Sequence, residues 1–274
     1  MNTMHTRQIR NIMFSRQHQS STLFTMVLPE LIAHRGYALH YPENTLVAIE
    51  SAIGAGARFV EVDIQLTSDK EPVLVHDRDL ERLCGISGKV HEFSLARLRN
   101  LRASEFGRFG YRFVHVPIPT LAELVALLQD KPQVGAFVEI KRIAIERFGI
   151  EPVLACVLPV IQEVRNRCVL ISFSLEFLLA ARRGGWHSVG AILERWGDRR
   201  SELVRKIQPD FLFCDAASLP RLGKLRTSPA KLAVYEIEDP DQALALAKRG
   251  VDMIETFAIG ELRSAFDLLR EVPA

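Results

Sequence analysis

From residue 29 onward the chain alternates short, nearly continuous apolar runs with longer stretches in which apolar residues recur every three or four positions. The apolar runs predict strands at Leu31–Ala33, Phe59–Leu66, Pro72–His76, Ala136–Ile140, Val169–Phe173, Val189–Leu193, Phe211–Cys214, Leu232–Ile237 and Asp252–Thr256. The helical periodicity predicts helices at Thr45–Ala55, Ser94–Leu101, Thr120–Gln129, Val153–Val164, Leu175–Arg183, Glu202–Ile207, Pro240–Lys248 and Glu261–Leu269. Strands apolar on both faces, separated by amphipathic helices, indicate a parallel sheet covered by helices. Repetition close to eightfold favours an α/β fold of the (β/α)8 TIM-type barrel over a doubly wound sheet. No Gly-x-Gly-x-x-Gly fingerprint or Gly-Lys-Ser/Thr phosphate loop supports the latter.

One strand candidate is surplus to an eight-stranded barrel. Thr67 to Glu71 joins Phe59–Leu66 to Pro72–His76, and so short a link cannot make a parallel crossover, which takes about a dozen residues or more. The link is therefore predicted to be a hairpin with its turn near Asp69. Residues whose numbers sum to about 138 then face each other, which brings His76 beside Val62 and Asp63. Residues 78–119 are irregular and carry Gly85, Gly88, Gly107 and Gly110, as expected of a long loop with a short helix that walls a pocket.

Composition sets the class. The 274 residues, 48% hydrophobic and 25% charged, are ordinary for a globular chain, and one barrel of roughly 250 residues would account for 29–274. With 35 basic against 33 acidic residues, no bulk field selects nucleic acid or an anionic membrane. The basic pairs Arg182-Arg183, Arg199-Arg200 and Arg205-Lys206 are expected on solvated helix faces. Cys84, Cys156, Cys168 and Cys214 lack paired spacing and are expected to be reduced core residues. No apolar run approaches the roughly 18 residues of a membrane span. Residues 1–28 hold Arg7, Arg10 and Arg16 and no acid, a transit-peptide-like composition without an apolar signal core. They are expected to be a disordered extension or an over-long start before Met26, and the location is expected to be cytoplasmic.

The candidate chemistry lies in short clusters at strand ends: His34-Arg35-Gly36, Glu43-Asn44, Glu61-x-Asp63, His76-Asp77 and Glu139-x-Lys141. Residues i and i+2 of a strand share a face, so Glu61 projects with Asp63, and Glu139 with Lys141. Phe59, Val60, Val62 and Ile64 mark an interior strand, where acids are costly unless paired or metal-bound. Three carboxylates with no thiol suit a hard cation, Mg²⁺ or Ca²⁺, rather than zinc. Arg35 offers a fork for phosphate and Lys141 a point charge, while His34 and His76 supply an acid and a base near neutral pH. Together they describe metal-assisted phosphoryl transfer.

The runs Leu31-Ile-Ala-His-Arg-Gly36, Pro42-Glu-Asn-Thr45, Glu61-Val-Asp63 and Val75-His-Asp77 resemble the glycerophosphodiester phosphodiesterase family. Gly88-Lys-Val90, Ile118-Pro-Thr-Leu121, Glu139-Ile-Lys141 and Ile171-Ser-Phe-Ser174 extend the similarity over about residues 29–260, most specifically in the amino-terminal half. The resemblance implies a phospholipase C-like phosphodiesterase barrel that hydrolyses glycerophosphodiesters to glycerol 3-phosphate and an alcohol. It implies Glu61, Asp63 and Glu139 as metal ligands and His34 and His76 as the acid–base pair. Arg35, Lys141, Glu43 and Asn44 would form the substrate-binding set, with Glu43 supporting the site and Asn44 hydrogen-bonding behind it. The sequence departs from the family near Tyr235 and at Thr256-Phe257, where a Thr-Asp pair is usual and Glu255 precedes, so the wall against the alcohol or glycerol differs. A lyase releasing a cyclic phosphate would use the same residues, and a barrel that only binds glycerophosphate-type ligands remains a third reading. The alcohol and the oligomeric state are not encoded in these motifs.

Overall fold

Val60, Val62 and Ile64 point one way from the second strand and Glu61, Asp63 and Gln65 the other, and this alternation separates the two layers of the fold. The computed structural model describes residues 28–271. The expectation for the amino-terminal extension therefore lies, apart from Leu28, outside the described residues. The strands are β1 (Glu30–His34), β2 (Phe59–Leu66), β3 (Pro72–Leu74), β4 (Gly135–Ile140), β5 (Cys168–Ser172), β6 (Val189–Leu193), β7 (Phe211–Asp215), β8 (Lys231–Tyr235) and β9 (Met253–Thr256). Eight of them pair in parallel in the order β1-β9-β8-β7-β6-β5-β4-β2, and β1 also pairs β2, so the sheet closes into a barrel. This is the predicted (β/α)8 architecture.

Seven helices form where the periodicity placed them: α1 (Leu46–Gly54), α2 (Leu121–Gln129), α3 (Ile150–Ile161), α4 (Leu175–Arg183), α5 (Glu202–Ile207), α6 (Pro240–Arg249) and α7 (Ile259–Glu271). Thr45, Thr120, Ser174, Ser201 and Asp239 start five of them by accepting a hydrogen bond from a first-turn amide. The predicted helix at Ser94–Leu101 is only the turn Leu95–Leu98, and a short helix at Arg142–Phe148 was not anticipated. No described helix is long and apolar enough to cross a membrane. Val60, Val62 and Ile64 join Ile49, Leu121 and Leu124 of the helices in the outer core. Inside the barrel Ile32, Phe137, Ile171, Ile192, Phe213, Ala233 and Met253 form a plug. Phe137 packs edge-on against Phe211 and Phe213, with ring centroids 5.0 and 5.2 Å apart. The plug is the floor beneath the carboxyl ends of the strands.

The predicted hairpin is present. β3 runs antiparallel to β2 with Ile64 opposite Leu74, Gln65 opposite Val73 and Leu66 opposite Pro72. Its turn closes through Lys70 N donating to Thr67 O and Thr67 N donating to Glu71 O. The strand stops at Leu74, two residues short of the predicted His76. The Gln65 side chain explains the early stop, because its amide nitrogen lies 3.0, 3.3 and 2.6 Å from the carbonyls of Val75, His76 and Asp77. Val75 N still donates to Asp63 O, but the two Gln65 N–H groups occupy the carbonyl side of the residues that follow, and His76 turns away from the sheet toward the mouth. Residues 78–119 are more ordered than expected: Leu80, Leu83, Val90, Leu98, Ala103 and Ile118 pack on Val73 and Val75 as a separate small core. Of the basic pairs, Arg182 is not simply solvated, since it donates to the carbonyls of Ile207 and Gln208 and to Asp210.

Candidate active site

β1 ends in a tight turn that aims His34 and Arg35. Arg35 and Gly36 have positive φ, and a Cβ on Gly36 would sit 2.7 Å from the backbone carbon of Ala48, so the turn packs directly on α1. Arg35 is buried by acids on three sides. Its backbone N–H donates to Glu61 Oε2 (3.2 Å), Nη1 donates to Glu43 (3.2 and 3.3 Å), and Nε lies 3.2 Å from Asp63 Oδ2.

Register then assembles the carboxylates. β2 and β4 set Asp63 beside Glu139, with Glu61 two residues back on the same face. Ligand oxygens of Glu61, Asp63 and Glu139 all lie within 4.8 Å of one another. Lys141 Nζ closes the open side, 3.1 Å from Asp63 Oδ1 and 3.0 Å from Glu139 Oε1. Burial, and then the charge of Asp63, pushes the Glu61 carboxyl well above its ordinary range and raises that of Glu139. Burial also opposes ionisation of Asp63, but Lys141 and Arg35 outweigh it and hold Asp63 well below the carboxylate range. Glu61 Oε1 is buried with no hydrogen-bond partner. An unpartnered oxygen among converging, mutually repelling carboxylates fits a hard divalent cation. The four cysteines are free and none is in this cluster, and burial pushes the Cys84 and Cys168 thiols up to about 12.

The histidines flank the cluster differently. His34 is buried and stacked on Phe257, with centroids 4.6 Å apart and planes 9° from parallel. Burial, followed by the charge of Arg35, lowers its pKa well below the ordinary value, which keeps the ring neutral. His76 is more open, and its Nδ1 lies 2.9 Å from Asp77 Oδ1. Burial works against the Asp77 charge, yet hydrogen bonds from His76 and Arg82 prevail and keep that carboxyl below its usual range. The two imidazoles thus present one neutral ring and one ring backed by a carboxylate. A cavity of about 130 Å³ joins His34, Arg35, His76, Glu139 and Lys141 to Phe173, Phe213, Tyr235, Glu236 and Glu255.

Glu43 and Asn44, expected to support the site and to hydrogen-bond behind it, do not line the cavity. Asn44 donates to Asp63 Oδ2 (2.8 Å) and accepts from the Asp63 amide (3.0 Å), which fixes the carboxylate's orientation. Glu43 is clamped by Arg35 and by Arg82, whose nitrogens lie 2.7 and 3.1 Å from its carboxylate oxygens. Arg82 also reaches Glu105 (2.7 Å) and Asp77 (2.6 Å), so one guanidinium ties the β1 turn, the hairpin end and the inserted segment together. Sequence alone missed Gln65, Arg82 and Glu105. Gln65 had a signal, as it continues the inward-facing series after Glu61 and Asp63. Arg82 and Glu105 had none, because Glu43, which both reach, lies 39 and 62 residues away from them. Glu255 was noticed only as a departure, although it is buried on β9 and faces the cavity.

A closed barrel with carboxylates, two histidines and two anion-facing cations at the carboxyl ends of its strands defines the class of phosphodiesterase barrels. The chain belongs to the glycerophosphoryl diester phosphodiesterase family, whose sequence profile matches residues 34–256. It is 40% identical over 101 residues to a glycerophosphodiester phosphodiesterase of Caldanaerobacter subterraneus, covering 37% of this chain and 41% of that relative. It is 31% identical over 164 residues to glycerophosphodiester phosphodiesterase 1 of Bos taurus, covering 60% of this chain and 48% of that relative. These matches span about half the length of the curated relatives or less. An Oleispira antarctica phosphodiesterase solved with the product sn-glycerol-3-phosphate superposes with a TM-score of 0.75 at 24% identity, over 88% of this chain and 97% of that one. The glycerophosphodiester phosphodiesterase of Thermotoga maritima does so with a TM-score of 0.66 at 25% identity, over 91% and 100%.

Proposed function

We propose that this barrel hydrolyses glycerophosphodiesters to glycerol 3-phosphate and an alcohol, using one divalent cation, Mg²⁺ or Ca²⁺, held by Glu61, Asp63 and Glu139. The observation that carries this is the buried carboxylate triad with an unpartnered Glu61 oxygen, set between Arg35 and Lys141 and flanked by two histidines. When bound, the cation supplies a Lewis acid against a phosphate oxygen.

This chain's own groups supply the rest. Arg35 and Lys141 face the cavity as fixed positive charges for the remaining phosphate oxygens; burial works against their charge, but their acidic neighbours outweigh it and keep both protonated. Glu43, itself held by Arg82, fixes Arg35, and Asp63, oriented by Asn44, fixes Lys141, so little reorganisation accompanies the reaction. His34, kept neutral, takes the proton from the attacking water, while His76, oriented by Asp77, gives its proton to the departing alkoxide. The new bond is water oxygen to phosphorus, the broken bond is phosphorus to the alcohol oxygen, and the net proton passes from water to alcohol. If a hydroxyl of the substrate attacks instead, the same residues yield a cyclic phosphate.

Phosphorus NMR of a glycerophosphodiester incubated with the enzyme and divalent cation separates the two outcomes. The expected product is a phosphomonoester appearing as the diester disappears. Accumulation of a five-membered cyclic phosphate would establish the lyase, and an unchanged diester would leave only a binding barrel.

A further inference from the structure

The site holds two more acids than a one-cation phosphodiesterase requires. Glu43 and Glu105 are spoken for by Arg35, Arg82 and Arg108. Glu255 and Glu236 are not. Glu255 is 3% exposed, its carboxylate makes no hydrogen bond among the described residues, and the nearest group able to carry positive charge is His34 Nε2 at 3.9 Å. Glu236 lies across the ring, with Oε1 3.8 Å from His34 Nδ1, a buried nitrogen that has no partner of its own. Neither acid forms an ion pair with Lys or Arg among the described residues, and both line the cavity.

With a divalent cation balancing Glu61, Asp63 and Glu139, the cavity is polarised. Arg35 and Lys141 stand on the β1–β4 side, Glu236 and Glu255 on the β8–β9 side, and Phe173, Phe213 and Tyr235 lie among the remaining lining residues. A phosphodiester of an amino alcohol has the same polarity, with its phosphate anion a few bonds from an ammonium group. We propose that Glu236 and Glu255 form a subsite for that ammonium group, so that the enzyme selects amino-alcohol phosphodiesters over neutral ones. This rests on the phosphodiesterase function proposed above. A second divalent ion is the competing occupant, because His34, Glu61 and Glu255 also approach within 4.8 Å of one another. Glu61 would then have to serve both ions. The two free acids also meet opposite nitrogens of His34, whose ring is pinned by Phe257, rather than converging on one point. Separated carboxylates beside aromatic rings suit an organic ammonium group, whose several N–H donors can reach both, better than a divalent ion that needs oxygens converging on one point.

The test compares kcat/KM for glycerophosphoethanolamine with that for glycerophosphoglycerol. Calorimetric binding of both diesters to the His76→Ala chain runs alongside, with divalent cation present throughout. Wild type is expected to favour the ethanolamine diester by about tenfold or more; Glu236→Gln should cut that ratio about threefold, and Glu255→Gln should bring it close to unity. A merely structural role would depress both substrates equally and leave the ratio alone. Glu236 is half exposed, so its variant keeps the test decisive even if Glu255→Gln folds poorly. Equal ratios in wild type, an unchanged ratio in the variants, or a second tightly bound metal ion lost in Glu255→Gln would each overturn the proposal. If neither diester is hydrolysed, the phosphodiesterase function fails. The binding arm then decides the subsite alone: tighter binding of the ethanolamine diester whose margin falls about threefold when Glu236→Gln is added supports it, and equal binding, or a margin that Glu236→Gln leaves unchanged, overturns it.

Discussion

Glu61→Gln is expected to remove divalent-cation binding and to lower kcat/KM by about 10³-fold or more, the equivalent of about 4 kcal/mol of transition-state stabilisation. The substitution is nearly isosteric, and the amide oxygen can still accept the Arg35 N–H that Glu61 now accepts at 3.2 Å. What it deletes is a carboxyl whose ionisation is opposed by burial and by the neighbouring Asp63, Glu255 and Glu139. Without added metal the variant should therefore be as stable as wild type or about 1 kcal/mol more stable by denaturant unfolding. Loss of activity with retained or increased stability separates a ligand from a scaffold residue. Full activity and full metal affinity in the variant would remove Glu61 from the ligand set.

The second large effect belongs to the histidines. His34→Ala and His76→Ala should each lower kcat by about 10²–10⁴ while leaving metal affinity largely intact, because neither ring is needed to complete the carboxylate triad. The pH profile distinguishes them. A base whose pKa is lowered stays neutral below the ordinary histidine range, so the acid limb of kcat/KM in wild type should fall below about pH 6.5. That limb should vanish in His34→Ala. A nitrophenol ester needs no general acid and should partly rescue His76→Ala but not His34→Ala. Equal rescue of both variants, or wild-type turnover in either, would contradict this division of roles.

Those groups were legible in the chain for identifiable reasons. β2 alternates apolar and acidic residues, so Glu61 and Asp63 declared both their strand and their face, and the five-residue link to β3 left a hairpin as the only short connection. The register then followed from the turn, and only the end of β3 was misplaced. The reason is a side chain: the Gln65 amide occupies the carbonyl side of Val75, His76 and Asp77, and His76 leaves the sheet. Glu43 and Asn44 were legible as residues supporting the site from behind, but not that Arg35 and Asp63 are the groups they hold. That direction depends on the positive φ of Arg35 and Asn44, which no spacing rule reports. Arg82 and Glu105 were invisible because their contacts with Glu43 and with each other span 23 to 62 residues through an irregular stretch. Glu255 was hidden by an ordinary-looking run, Met253-Ile254-Glu255-Thr256, whose inward face is set only when β9 pairs with β1 and β8.

The most direct test of the central claim is a metal titration followed by turnover. The chain is stripped with chelator, then Mg²⁺ or Ca²⁺ is returned in increments while bound ion and diester hydrolysis are measured on the same samples. The expected result is no turnover in the stripped chain and activity rising in proportion to bound ion up to one per chain, with Asp63→Asn failing to recover at the same concentrations. Undiminished turnover in the stripped chain, or activity that appears only with a second ion, would contradict a single cation held by Glu61, Asp63 and Glu139.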